Sequence, residues 1–207
     1  MADADDTPFS SGADDRFHDE CGVFGIFGRP DAAAIVTLGL HALQHRGQEA
    51  AGIVSFDGHK FFVERHIGLI GDNFTKQSVL DRLKGNRAIG HTRYATTGGA
   101  SIRNIQPLFA ELAEGGIAVA HNGNLTNAMT VQRALQKQGA IFTSTSDTET
   151  ILHLIAMSRE ADINSRFIDA VRQIEGAFSL VALTAKKMIG CRDPLGIRPL
   201  VMGSLGD

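Results

Sequence analysis

The stretch Asp19-Glu20-Cys21-Gly22-Val23-Phe24-Gly25-Ile26-Phe27-Gly28 divides this 207-residue chain into two parts of different character. Before Cys21 lie twenty residues with almost no apolar run. After it begins a short segment of β-branched and aromatic residues spaced by glycine, the pattern of a first buried strand. A cysteine at such a boundary has two readings. It is a small hydrophobe in a core strand, the usual fate of a lone cysteine. Alternatively, cleavage after Glu20 makes it a new N-terminal residue, whose thiol and α-amino group supply nucleophile and base together.

Outward from that boundary, the leader Met1–Glu20 carries seven acids (Asp3, Asp5, Asp6, Asp14, Asp15, Asp19, Glu20) against Arg16 alone. Its charge of −6, set against −3 for the whole chain, leaves about +3 for the remainder. The leader reads as a disordered acidic segment, and the rest as nearly neutral for its size. Nothing in this balance argues for nucleic acid or a membrane surface as partner. The leader has neither the basic nor the apolar region of a secretory signal, and no later stretch is long and apolar enough to span a bilayer. A cytoplasmic protein is expected. Two cysteines exclude a four-cysteine metal site, and without an export signal a Cys21–Cys191 disulfide is the less expected use of the pair. No metal site is predicted.

Downstream, Gly28-Arg29-Pro30-Asp31 starts a helix over Ala32–Arg46 that Gly47 stops. Ala51–Phe56 and Lys60–Glu64 read as strands joined at Asp57-Gly58, a type I′ hairpin signal. Thr75–Lys84 predicts a short helix, Arg87–Tyr94 a strand, Ala95–Asn104 a polar loop, and Ile117–Ala120 a strand running into His121-Asn122-Gly123-Asn124. Helices follow at about Asn127–Gln138, Asp147–Arg159 and Ser165–Ile174. Phe178–Ala185 is apolar throughout, as in a strand covered on both faces. Leu200–Met202 reads as a final strand reaching Gly206-Asp207, which predicts a fragment of a longer protein because its partner strand is missing. Strands, then helices, then strands suggest an α+β fold: a four-layer αββα sandwich.

Three segments have ordinary structural explanations when taken singly. Arg93 ends a strand before a Gly loop, Asn122-Gly123 is a common turn dipeptide, and Ser146-Asp147-Thr148-Glu149 has the form of a helix capping box. Together they are complementary. Arg93 and Asp147 offer a cation and an anion for the two charged groups of an amino acid. The Asn122 amide and the Gly123 N–H suit a developing oxyanion, and Cys21 is the nucleophile that acyl transfer needs.

With these motifs the chain resembles the class II glutamine amidotransferases, N-terminal-nucleophile hydrolases of αββα fold. Cys21-Gly22-Val23-Phe24-Gly25, Leu43-Gln44-His45-Arg46-Gly47-Gln48-Glu49, Gly90-His91-Thr92-Arg93-Tyr94, His121-Asn122-Gly123-Asn124-Leu125, Ser146-Asp147-Thr148-Glu149 and Arg192-Asp193-Pro194-Leu195-Gly196-Ile197-Arg198-Pro199-Leu200 occur in family order. The resemblance covers nearly all of residues 21–207. Tyr94 and Asn124-Leu125-Thr126-Asn127 are similar to the branch that feeds ammonia to a phosphoribosyltransferase domain in purine synthesis, and unlike glucosamine-phosphate synthase.

The resemblance implies that residues 1–20 are a propeptide removed by autocatalysis, with Cys21 as nucleophile and Asn122 with Gly123 as oxyanion hole. Arg93 and Asp147 would hold glutamine, with Tyr94 and Thr96 in the same substrate loop; Arg46 matches a family arginine near the nucleophile. It implies a homo-oligomeric full-length enzyme using Mg2+ and, in members with propeptides, often an iron-sulfur cluster, both held by residues absent here. The fragment itself would use no cofactor, would lack the phosphoribosyltransferase domain, and would at best hydrolyse glutamine weakly. The competing expectations are a non-catalytic module, unprocessed or truncated, and the glutaminase half of another class II amidotransferase.

Overall fold

The computed structural model describes residues 21–94 and 101–206. Its strands are β1 Gly22–Phe27, β2 Ala50–Phe56, β3 Phe61–Ile67, β4 Arg87–Arg93, β5 Leu108–Leu112, β6 Gly115–Leu125, β7 Gly176–Thr184 and β8 Met188–Arg192. Helices are α1 Ala32–Ala42, α2 Ile70–Asn73, α3 Gln77–Leu80, α4 Ala128–Lys137, α5 Asp147–Met157 and α6 Ile163–Val171. The strands form two four-stranded antiparallel sheets, ordered β1-β4-β2-β3 and β5-β6-β7-β8.

Period-two alternation along each strand builds the layers. Ala51, Ile53 and Ala88 face Val36 and Leu40 of α1, whereas Val54, Phe56 and Ile89 face the other sheet. On β6, Ile117 and Val119 pack under α5 with Ile151 and Ile155, while Ala118 and Ala120 join the layer between the sheets. Three apolar clusters therefore fill three interfaces, and the predicted αββα sandwich is the observed one.

Several boundaries differ from expectation. Helix α1 ends at Ala42, and a single 3-10 turn over Gln44–Arg46 completes the passage to Gly47. The β2–β3 connection is not a two-residue I′ turn: only Gly58 has positive φ, and Asp57 Oδ1 accepts the N–H groups of His59 and Lys60 at 2.8 and 2.9 Å. Two short helices, α2 and α3, take the place of one helix over Thr75–Lys84. Leu200–Met202 forms no strand; Val201 and Met202 are 93% and 100% exposed. The strands that do border the second sheet, β5 and β8, lie outside every expected strand. Among the described residues no helix is long and apolar enough to cross a membrane.

Candidate active site

The middle layer changes character at one end. Inward-facing Ile89 is followed at the same parity on β4 by His91 and Arg93, and Ala120 on β6 by Asn122. The polar groups thus gather where strands β1, β4 and β6 approach one another.

Cys21 stands immediately before β1 with φ 60°, the only described residue other than glycine in the left-handed region. For an L-residue that conformation costs on the order of 1 kcal/mol, so neighbours must hold it. Arg46 does so from both sides. Its carbonyl accepts the Cys21 N–H at 2.7 Å, and its Nε donates to the Cys21 carbonyl at 2.9 Å. The Cys21 thiol lies 3.7 Å from the Tyr94 carbonyl, which places it at the end of β4 beside Arg93.

Among the described residues, several buried polar atoms here have no hydrogen-bond partner, including Nη1 of Arg93, Nδ1 of His91, Nε2 of His121 and Oδ1 of Asn122, the last on a side chain only 4% exposed. Buried groups of this kind are usually satisfied, and a polar ligand would complete them. Gly123 follows Asn122 with φ 144°, and a Cβ there would sit 2.0 Å from the Ala177 carbonyl oxygen. Glycine is the residue that fits.

Asp147 opens α5 one residue after the cap Ser146, whose side chain accepts the Thr148 N–H. Its Oδ2 accepts the Leu125 N–H at 3.1 Å, and His121 Nδ1 lies 3.3 Å from Oδ1. Burial alone would raise its pKa, but these hydrogen bonds more than offset that and hold it below the ordinary aspartate value. The carboxylate keeps spare lone pairs for a further donor. Glu149 does not return to the cap. It accepts instead from the N–H and hydroxyl groups of Thr143 and Ser144 at 2.7–2.8 Å, tying down the turn before α5.

A family model for the glutamine amidotransferase domain matches residues 91–207. The chain belongs to this family. Among relatives of this amidotransferase, an amidophosphoribosyltransferase from Rhizobium etli is 65% identical over 191 residues, covering 92% of this chain and 38% of that protein. A chloroplastic amidophosphoribosyltransferase from Arabidopsis thaliana is 48% identical, covering 92% and 36%. The solved glutamine phosphoribosylpyrophosphate amidotransferase from B. subtilis, complexed with ADP and GMP, superposes with a TM-score of 0.84 at 43% identity, covering 89% and 40%. A second structure, of the allosteric regulatory enzyme of purine biosynthesis, gives 0.86 at 44%, with the same coverage. The amidotransferase chain therefore spans about two fifths of the length of these relatives. Class II membership and the N-terminal-nucleophile hydrolase fold follow from these matches.

Of the residues expected at the amidotransferase site, Cys21, Arg46, Arg93 and Tyr94 meet around the start of β1 and the end of β4. Asn122 and Gly123 sit at the end of β6, and Asp147 is bonded to that strand at Leu125. Thr96 lies outside the described residues, as does the leader 1–20. The sequence reading missed the work of the histidines. His91 is fully buried and its Nε2 donates to the His121 carbonyl at 3.1 Å, while His121 supports Asp147. The signal was present in the strand parity, which turns His121 toward α5 and His91 into the middle layer. Among the described residues no group of three or more His, Cys, Asp or Glu is arranged to hold a metal ion.

Proposed function

We propose that this chain is the glutaminase half of an amidophosphoribosyltransferase, releasing ammonia from glutamine for the first committed step of purine synthesis. The observation that supports this reading most is the Cys21 thiol 3.7 Å from the Tyr94 carbonyl at the end of β4, the strand that carries Arg93 and that packs against β6, the strand of Asn122. Removal of residues 1–20 exposes the Cys21 α-amino group, whose pKa in free form is about 7.7–8.0. It takes the thiol proton, and the thiolate attacks the glutamine side-chain amide carbon. The Asn122 amide and Gly123 N–H stabilise the oxyanion, while Arg93 and Asp147 hold the α-carboxylate and α-ammonium. Tyr94 and Thr96 complete the substrate loop, and Arg46 fixes Cys21.

Collapse of the tetrahedral intermediate returns the proton to the leaving nitrogen and frees ammonia, leaving a γ-glutamyl thioester. Water, deprotonated by the same amino group, attacks the thioester and releases glutamate and the thiolate. The relatives' names and lengths support a phosphoribosyltransferase domain as the consumer of ammonia, acting on phosphoribosyl pyrophosphate with its own Mg2+. An iron-sulfur cluster and homo-oligomeric assembly are proposed for the full-length protein on the family resemblance, and the cytoplasm as its compartment.

The test is an intact mass followed by an ammonia-release assay on glutamine. A chain starting at Cys21 that releases ammonia, beside an inactive leader-bearing form, is the expected result. A Cys21-initiated chain that is inert toward glutamine would leave a non-catalytic module.

A further inference from the structure

The loop that follows Arg93 returns to the sandwich through residues 101–106, and two of its side chains tie together groups that act side by side in the proposed reaction. Asn104 closes the 3-10 turn Ile102–Asn104 and grips Thr145 twice. Its Nδ2 donates to Thr145 Oγ1 at 2.8 Å, and its Oδ1 accepts the Thr145 N–H at 3.0 Å. Thr145 directly precedes Ser146, the cap of α5, so this grip fixes the turn from which Asp147 projects.

Two residues further on, the Gln106 side chain takes the place of a missing strand. Strand β5 begins at Leu108, opposite Val119, so among the described residues no strand pairs with β6 on that side beyond Val119. Gln106, a polar residue only 7% exposed, fills the gap by accepting the His121 N–H with Oε1 at 2.6 Å. Alternate N–H groups of a strand point to the same edge. The next N–H on this edge is that of Gly123, one of the two oxyanion donors.

Gln106 is itself immobilised. Its carbonyl oxygen presses on β2, where a Cβ on Gly52 would lie 2.3 Å away. The next carbonyl, of Pro107, accepts from Arg65 Nη2 at 2.8 Å.

We infer that Asn104 and Gln106 form a strut that sets the glutamine grip against the oxyanion donors. Gln106 positions Asn122 and Gly123 through the His121 N–H, and Asn104 positions Asp147 through Thr145. Both are positioning residues, and the inference rests on the glutaminase reading above.

Gln106→Leu removes the acceptor at similar bulk, and Gln106→Glu restores one. Amide hydrogen exchange at His121, read by NMR on the full chain, should accelerate about tenfold or more in Gln106→Leu and stay near wild type in Gln106→Glu. On glutamine, Gln106→Leu should lower kcat about 10- to 100-fold with KM within about threefold, and Gln106→Glu should recover most of the loss. Asn104→Ala should raise KM about 5- to 20-fold with little change in kcat. Unchanged His121 exchange in Gln106→Leu, or a loss confined to KM, overturns the strut. Asn104 is only half-buried, so its variant keeps the question open to test should Gln106→Leu not fold; a wild-type KM there also overturns it. A wild-type Cys21-initiated chain that releases no ammonia refutes the glutaminase reading instead, and the exchange measurement still decides the strut.

Discussion

Arg46 holds Cys21 by both backbone groups, its carbonyl accepting the Cys21 N–H at 2.7 Å and its Nε donating to the Cys21 carbonyl at 2.9 Å. The arginine thereby fixes the direction of the thiol and of the nitrogen proposed as the α-amino base. Its placement favours support of the nucleophile over contact with glutamine. Arg46→Ala should lower kcat for glutamine about 10- to 100-fold while KM moves less than about threefold. Steady-state kinetics decide it, because a rise in KM at constant kcat would make Arg46 a substrate ligand.

Asn122 presents a buried amide at the end of β6. Loss of one oxyanion donor weakens transition-state binding by about 3–4 kcal/mol, or 10²–10³ in kcat. Asn122→Ala should show that loss in glutamate release. A variant that keeps the full rate removes Asn122 from the mechanism.

Gly123 is constrained by φ 144° and by the Ala177 carbonyl. Gly123→Ala must either distort the β6–β7 pairing or bear the clash, and should cost about 2–4 kcal/mol of stability. Urea denaturation measures this directly; a change below about 0.5 kcal/mol would show that the two strands separate there without penalty.

His91 is pushed down to about 3, first by burial and then by the neighbouring His121. The unfolded chain takes up a proton at this residue near pH 6.5, and the folded chain does so only near pH 3. Stability from a neutral His91 is therefore complete above pH 6.5 and is lost as pH falls from 6.5 toward 3, by up to about 1.4 kcal/mol per unit. Replacing it by Gln, which keeps a donor for the His121 carbonyl, should flatten that dependence. Urea midpoints of the two proteins between pH 7.5 and 4.5 should converge on acidification, and parallel curves would contradict the assignment.

Elements with a long apolar run or an apolar helical face are readable from sequence: β2, β4, β7 and helices α4 to α6 fall within a few residues of expectation. The two sheet borders are not. Strand β5 is five residues beginning directly after Pro107, and β8 carries Gly190 at its centre, so neither offers the run of β-branched residues that marks a strand. Leu200–Met202 misled for the opposite reason, since its apolar side chains have strand propensity but no sheet to join. At the site, residue types and order pointed to Cys21 and the residues around it through the family resemblance. The partner of Glu149 was hidden because Ser-x-x-Glu reads the same whether the carboxylate returns to its cap or turns to Thr143 and Ser144.

The strand order also bears on the order in which this sheet assembles. Strand β1 is at an edge, and its only neighbour within the sheet is β4, with Gly22 opposite Thr92 some seventy residues away. The β2–β3 hairpin closes locally and β4 docks on it, but β1 has nothing to pair with until β4 is in place, and its loop is the longest of the three to close. Loop-closure entropy thus predicts that β1, and Cys21 with it, joins this sheet after β2, β3 and β4. Under the proposed glutaminase mechanism, cleavage of the Glu20–Cys21 bond would then report that β1 has reached its place beside β4.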